Sequence, residues 1–156
     1  MAKEFHDLEN LPEIHKSFYL IEAIWVIDRG SGVCLFDKYY KDQGDSGISS
    51  DLICGFFSAF VDISEEFFAE QVDYIKFRTS RLYFSFIHNV IFILKFEDDL
   101  LLEEEIEDIL FEIAVEFIKE FHDKLANWNG NLRVFEDFNG ILDQIVAIHP
   151  IYVYFN

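Results

Sequence analysis

The sequence predicts an α+β fold: a five-stranded antiparallel sheet with one helix on one face and two C-terminal helices on the other. Three observations carry this expectation. FYLIEAIWVID, which opens the stretch from Phe18 to Tyr40, and VIFILKF further on are apolar at nearly every position, so both faces of each are covered and each lies inside a sheet. VDYIKF, RLYFSFIH and VIFILKF are separated only by Arg78-Thr79-Ser80 and by His88-Asn89, and such short connections make antiparallel neighbours. From Leu102 to Trp128 apolar residues recur every three or four positions, the period of an amphipathic helix.

Taken in order, the first strand reverses through Asp28-Arg29-Gly30-Ser31-Gly32, whose two glycines are free to take positive φ, and returns as VCLFDKYY. The polar segment KDQGDSGISS reads as a solvated loop. Its Asp42, Asp45 and Gly47 lack the ligand alternation and the bidentate glutamate of a calcium loop. Ser49 or Ser50 caps the helix DLICGFFSAFVDI, with Leu52, Phe56 and Ala59 on one face and Ile53, Phe57 and Phe60 adjoining. Gly55 inside that helix points to close approach of the helix to the sheet, and SEEFFAEQ reads as the break that ends it. Among the three later strands VDYIKF, with its interspersed charges, is an edge. The long helix starts in acidic residues suited to the positive end of its dipole and stops at Asn129-Gly130. A last helix, VFEDFNGILDQIVAI, places Phe135, Phe138, Ile141, Leu142 and Ile145 on one face before His149-Pro150 ends it.

The 156 residues fit a single domain, and 51% hydrophobic with 18% aromatic content excludes a disordered chain. The division is an N-terminal arm at 1–17, a domain at 18–148 and a short apolar tail at 149–156. The arm carries Phe5, Leu8, Leu11 and Ile14, spaced for a helical arm interrupted at Pro12 or equally for a loose leader. No apolar run reaches the ~18 residues of a membrane span, and the mixed charges of the first residues are not those of a secretory signal. Cys34 and Cys54 are too few for a disulfide framework, and Cys54 reads as a small buried hydrophobe, so a cytoplasmic protein with reduced thiols is expected. The net charge of −18 repels phosphate backbones and anionic lipid, which excludes nucleic acid and direct membrane insertion as expected partners. It serves either solubility or a partner with a basic or apolar surface.

Chemistry-bearing patterns are missing. The histidines at 6, 15, 88, 122 and 149 are scattered, the carboxylates of EEEIED at 103–108 read as a solvated first turn, and Gly30-Ser31-Gly32 is too short to cradle phosphate. No serine or cysteine stands beside an evident base. The expectation is a non-enzyme with no catalytic residue, no metal and no cofactor.

IWVIDRGSGVCLFDKYY resembles the opening of the longin domains, in which a strand ends in aspartate, turns through glycine and returns as G-x-x-L-F. DLICGFFSAF resembles their first helix. The strand triplet, the long helix ending in Trp128-Asn129-Gly130 and the phenylalanine-rich last helix from Val134 to Ile148 complete the order, so the resemblance spans roughly residues 18–148. The related roadblock family has a similar sheet but begins with a full helix and ends in one, and the longin order is the better match. The resemblance implies a longin/profilin-like fold, β-β-α-β-β-β-α-α. It implies a protein-interaction module of intracellular membrane traffic: an adaptor, a scaffold, or a regulator subunit for a small Ras-like GTPase. Expected partners are such a GTPase or another longin or roadblock domain, in a homo- or heterodimer, with any membrane association made through partners. A roadblock-type GTPase-regulating dimer and a small-ligand sensory domain are the alternatives. Expected contacts lie on the second strand and the first helix, at Leu35, Asp37, Tyr39, Phe57 and Phe60.

Overall fold

The computed structural model describes residues 21–41, 47–97 and 103–148. The expected N-terminal arm and C-terminal tail, Asp42 and Asp45 of the expected solvated loop, and Leu102 at the start of the long helix lie outside the described residues. Five strands, β1 (Ile21–Asp28), β2 (Val33–Tyr39), β3 (Tyr74–Lys76), β4 (Ser80–Ile87) and β5 (Val90–Glu97), form one sheet in the order β2-β1-β5-β4-β3. All pairings are antiparallel. Helix α1 (Ser50–Phe68) covers one face. Helices α2 (Glu103–Ala126) and α3 (Phe138–Ile148), with a 3-10 turn at Leu132–Phe135 between them, cover the other. This is the α+β architecture that the longin resemblance implies, with β1 and β5 in the interior and β3 at an edge.

The strands alternate between two cores. Ile24 and Val26 of β1 face α2 and α3, while Ala23, Trp25 and Ile27 face α1. On the larger side Phe117 of α2 makes ring contacts at 4.8–5.7 Å with Phe92, Phe121, Phe135 and Phe138. The phenylalanines of this core pack edge-on and stacked against one another.

Two β-bulges break the alternation. Between Val26↔Phe36 and Ile27↔Cys34, Leu35 is the extra residue on β2. Between Ile21↔Phe96 and Ala23↔Lys95, Glu22 is the extra residue on β1. The first bulge puts Leu35 and Phe36 together in the α2/α3 core instead of on opposite faces. The second brings buried Glu22 between Lys95 at 2.9 Å and Lys41 at 3.2 Å. Burial opposes ionisation of Glu22, but the two ammonium groups outweigh it and its pKa lies below the ordinary 4.5.

Four expectations are corrected. Helix α1 does not end at SEEFF but continues to Phe68, because Ser64 is buried and Glu65 pairs with Arg29; Ala69 then takes the left-handed conformation at φ 58°. The buried face of α1 is Cys54, Phe57, Ser58, Val61 and Ser64, so Leu52 and Phe56 point outward. A side chain at Gly55 would meet nothing within 4 Å; of the two turn glycines only Gly32 has positive φ, at +74°, and a Cβ there would meet Gly55 Cα at 3.7 Å. The last helix begins at Phe138, not Val134, and the preceding 3-10 turn is capped by Asn131.

Gly55 therefore carries the helix-interior cost of glycine without a packing reason at its own Cβ. Gly55→Ala is expected to stabilise the fold by about 0.5–1 kcal/mol, read as a rise in the midpoint of chemical denaturation. For Glu22 the sign follows from its lowered pKa: the folded state binds fewer protons there than the unfolded one. Its contribution is complete above the unfolded value near 4.5 and disappears as pH falls through the lower folded pKa. Glu22→Gln should cost about 1–3 kcal/mol at neutral pH. The gap from the parent protein should close on acidification below pH 4.5 in a denaturation series.

Candidate functional site

Helix α1 and the sheet edge beside it form the surface that the sequence singles out, and local chemistry fixes how that surface is presented. Ser49 caps the helix by accepting a hydrogen bond from Leu52 N at 3.2 Å. Ser50 donates to the Asp37 carboxylate, and its hydroxyl also meets Tyr39 Oη. Tyr39 Oη in turn accepts from Trp25 Nε1 at 3.0 Å. Asp37 and Tyr39 thus hold the first turn of α1 against β2.

At the far end Arg29, in the β1–β2 turn, donates to Asp62 at 3.0 Å and to both oxygens of Glu65, and Ser58 Oγ donates to Arg29 O at 3.0 Å. The Glu65 hydrogen bonds raise the Arg29 pKa against the opposing effect of burial. The Arg29 hydrogen bond in turn holds Glu65 below its ordinary value.

Fixed at both ends, α1 turns an apolar stripe outward. Leu52, Phe56, Ile63 and Phe67 are 64%, 64%, 61% and 81% exposed. Their spacing runs in line for ~22 Å of helix. Phe60, half-buried, stacks on Phe56 with ring centroids 6.3 Å apart. Exposed Asp51, Asp62 and Glu66 border the stripe, and α1 contains no lysine or arginine. Large apolar side chains aligned on one exposed face suit burial against another macromolecule.

The five residues expected at a contact surface separate on this geometry. Leu35 is buried in the α2/α3 core by its bulge, and Phe57 is buried beneath α1 against Trp25 and Phe84. These two support the surface from inside and do not form it. Asp37 and Tyr39 are exposed but occupied in holding α1, and Phe60 lies at the border of the stripe. Sequence reasoning missed Ile63 and Phe67. The signal was present, since Leu52, Phe56, Ile63 and Phe67 keep helical spacing through the acidic residues taken for a break.

Two clefts of about 290 Å³ open elsewhere. One lies between α2 and the β4–β5 turn, where His88, at φ 53°, and His122 approach with ring centroids 6.4 Å apart beside Asp28, Asn89 and Trp128. The other lies along β2 beneath the start of α1 and is lined by Cys34, Asp37, Asp51 and Glu136. Among the described residues no group of three or more His, Cys, Asp or Glu side chains could hold a metal ion. In the acidic first turn of α2, Glu103 accepts from Tyr83 Oη at 3.0 Å and pairs with Arg81 at 3.4 Å. Burial is the first cause, ahead of Glu103, that pushes the Tyr83 phenol up to about 12. No helix among the described residues is long and apolar enough to cross a membrane.

No family model matches this chain, and a search of curated proteins finds no match. Among solved structures, Myxococcus xanthus MglB is similar with a TM-score of 0.49 and 12% identity, over 69% of this chain and 83% of that one. The gliding protein MglB of Thermus thermophilus is similar with a TM-score of 0.41 and 11% identity, over 96% of this chain and 89% of that one. Neither likeness carries a function over to this chain.

Proposed function

We propose that the chain is a non-enzymatic protein-interaction module, a regulator or scaffold subunit in membrane traffic whose partner is a small Ras-like GTPase. The observation that carries the interaction half is the outward stripe of Leu52, Phe56, Ile63 and Phe67. Burying these side chains against a partner gives about 25 cal/mol per Å² of apolar area removed from water. The GTPase as occupant follows from the longin resemblance and from charge. The acidic border of α1 and the net charge of −18 favour a partner whose apolar patch is rimmed by lysine and arginine. A second copy of this chain fits less well, since it would set acidic border against acidic border.

The test is a binding series against a panel of Ras-like GTPases in both nucleotide states, over a range of salt. Association should slow as salt rises, because screening shortens to ~8 Å at physiological ionic strength, while dissociation should change little. Phe56→Asp should weaken binding ~30-fold or more, as for a central apolar anchor, and leave the melting temperature close to that of the parent. If every GTPase binds more weakly than ~100 μM in both states, the GTPase reading fails. If Phe56→Asp binds like the parent, the α1 surface is the wrong one.

A further inference from the structure

The cleft of about 290 Å³ between α2 and the β4–β5 turn has two kinds of wall. One is apolar. Ile118 and Leu125 stand four residues before and three after His122 on α2, so the three share a side of the helix, and Trp128 lies just beyond its end. Ile118, Leu125 and Trp128 all pack against the α2/α3 core, which backs this wall from behind. Trp128 is held further by its Nε1, which donates to Asn131 O at 2.9 Å.

The other wall is polar and tied to its surroundings. Arg29 N donates to Asn89 O at 2.9 Å and Asn89 Nδ2 to Asp28 Oδ1 at 3.5 Å, so the β1–β2 and β4–β5 turns hold each other. Between β4 and β5, His88 takes a φ of 53° in a two-residue turn, a backbone that suits glycine better than a residue with a side chain. Its ring centroid lies 6.4 Å from that of His122. Asp123 Oδ1 stands 3.4 Å from His122 Nδ1, and a proton held between them leaves Nε2 as an acceptor.

We propose that this cleft binds a small aromatic amine, its ring against Ile118, Leu125 and Trp128 and its ammonium group held by Asp28 and the imidazoles of His88 and His122. The class of ligand follows from the lining. A carboxylate and neutral imidazoles accept hydrogen bonds, and among the described residues no lysine or arginine lines the cleft. The net charge of −18 adds to the preference for a cation. A bare cation would leave the apolar wall in water, whereas an aromatic body covers it, and the indole of Trp128 also attracts an ammonium group. A metal ion would want a third ligand, and among the described residues no group of three or more His, Cys, Asp or Glu side chains could hold one. The apolar wall belongs to the α2 side of the sheet, opposite α1, so the inference stands apart from the identity of any protein partner.

The experiment titrates the full chain with phenethylamine and follows the indole N–H signals by NMR. Phenylacetamide and phenylacetate keep the ring without the positive charge, and ethylamine keeps the charge without the ring. Phenethylamine should shift the Trp128 signal saturably, with a Kd below ~1 mM, and leave that of buried Trp25 in place. The amide and the acid should bind ~10-fold more weakly or worse, and ethylamine should give no saturable shift. Ala126→Arg, at an exposed position on the cleft, should weaken the amine ~10-fold or more while keeping the melting temperature. Asp28→Asn should bring the amine down to the level of the amide. The proposal is overturned if phenethylamine gives no saturable shift up to ~10 mM, or if the amide or acid binds as tightly. It is equally overturned if ethylamine saturates the same signal, or if Ala126→Arg binds like the parent.

Discussion

Burial on both faces of β1 and β5 is the constraint from which the rest of the fold follows. Ile21 to Ile27 are buried without interruption, as are Val90 to Leu94, and the two strands pair over most of their length. Backbone groups so placed find their hydrogen bonds only in neighbouring strands, and the apolar side chains need cover above and below. One helix on one side and two on the other is the simplest way to provide it. Glu22 enters this interior paired between two lysines.

The two faces are finished differently. Between the sheet and the α2/α3 layer the phenylalanine rings pack on one another and leave α2 a well-defined inner stripe. On the other face a single helix covers the sheet and is held at its ends by polar contacts, Asp37 and Tyr39 to Ser50 at one end and Arg29 to Asp62 and Glu65 at the other. A lone covering helix has one side against the sheet and the other in water. Here the water-facing side is apolar as well, which is where the functional proposal rests.

The same face buries both cysteines. The α1 chain passes so close to the β1–β2 turn that a side chain on Gly32 would contact Gly55 Cα, and Cys54 is the next residue along the helix. With α1 held this near the sheet, Cys54 and Cys34 of the edge strand are both buried in the cluster between them. The close approach is made at Gly32, while Gly55 itself turns its open side to solvent.

By itself the sequence determined the element order, the antiparallel pairing of β3, β4 and β5, the interior places of β1 and β5, and the inward face of α2. These are local matters: connections too short to cross over, strands with no polar face, and one clean 3.6-residue period. Only the tertiary structure decided the rest. Helix α1 is apolar around most of its circumference, so periodicity could not choose between the Leu52–Phe56 side and the Cys54–Phe57 side; the fit onto Trp25 and Phe84 chose the second. The bulges at Glu22 and Leu35 have no sequence mark, yet each shifts the alternation by one residue, and that shift takes Leu35 from a candidate surface into the core. That Cys34 and Cys54 share one buried cluster depends on how near a helix lies to a sheet. That distance is set by side chains far apart in the chain, and no spacing within it records the result.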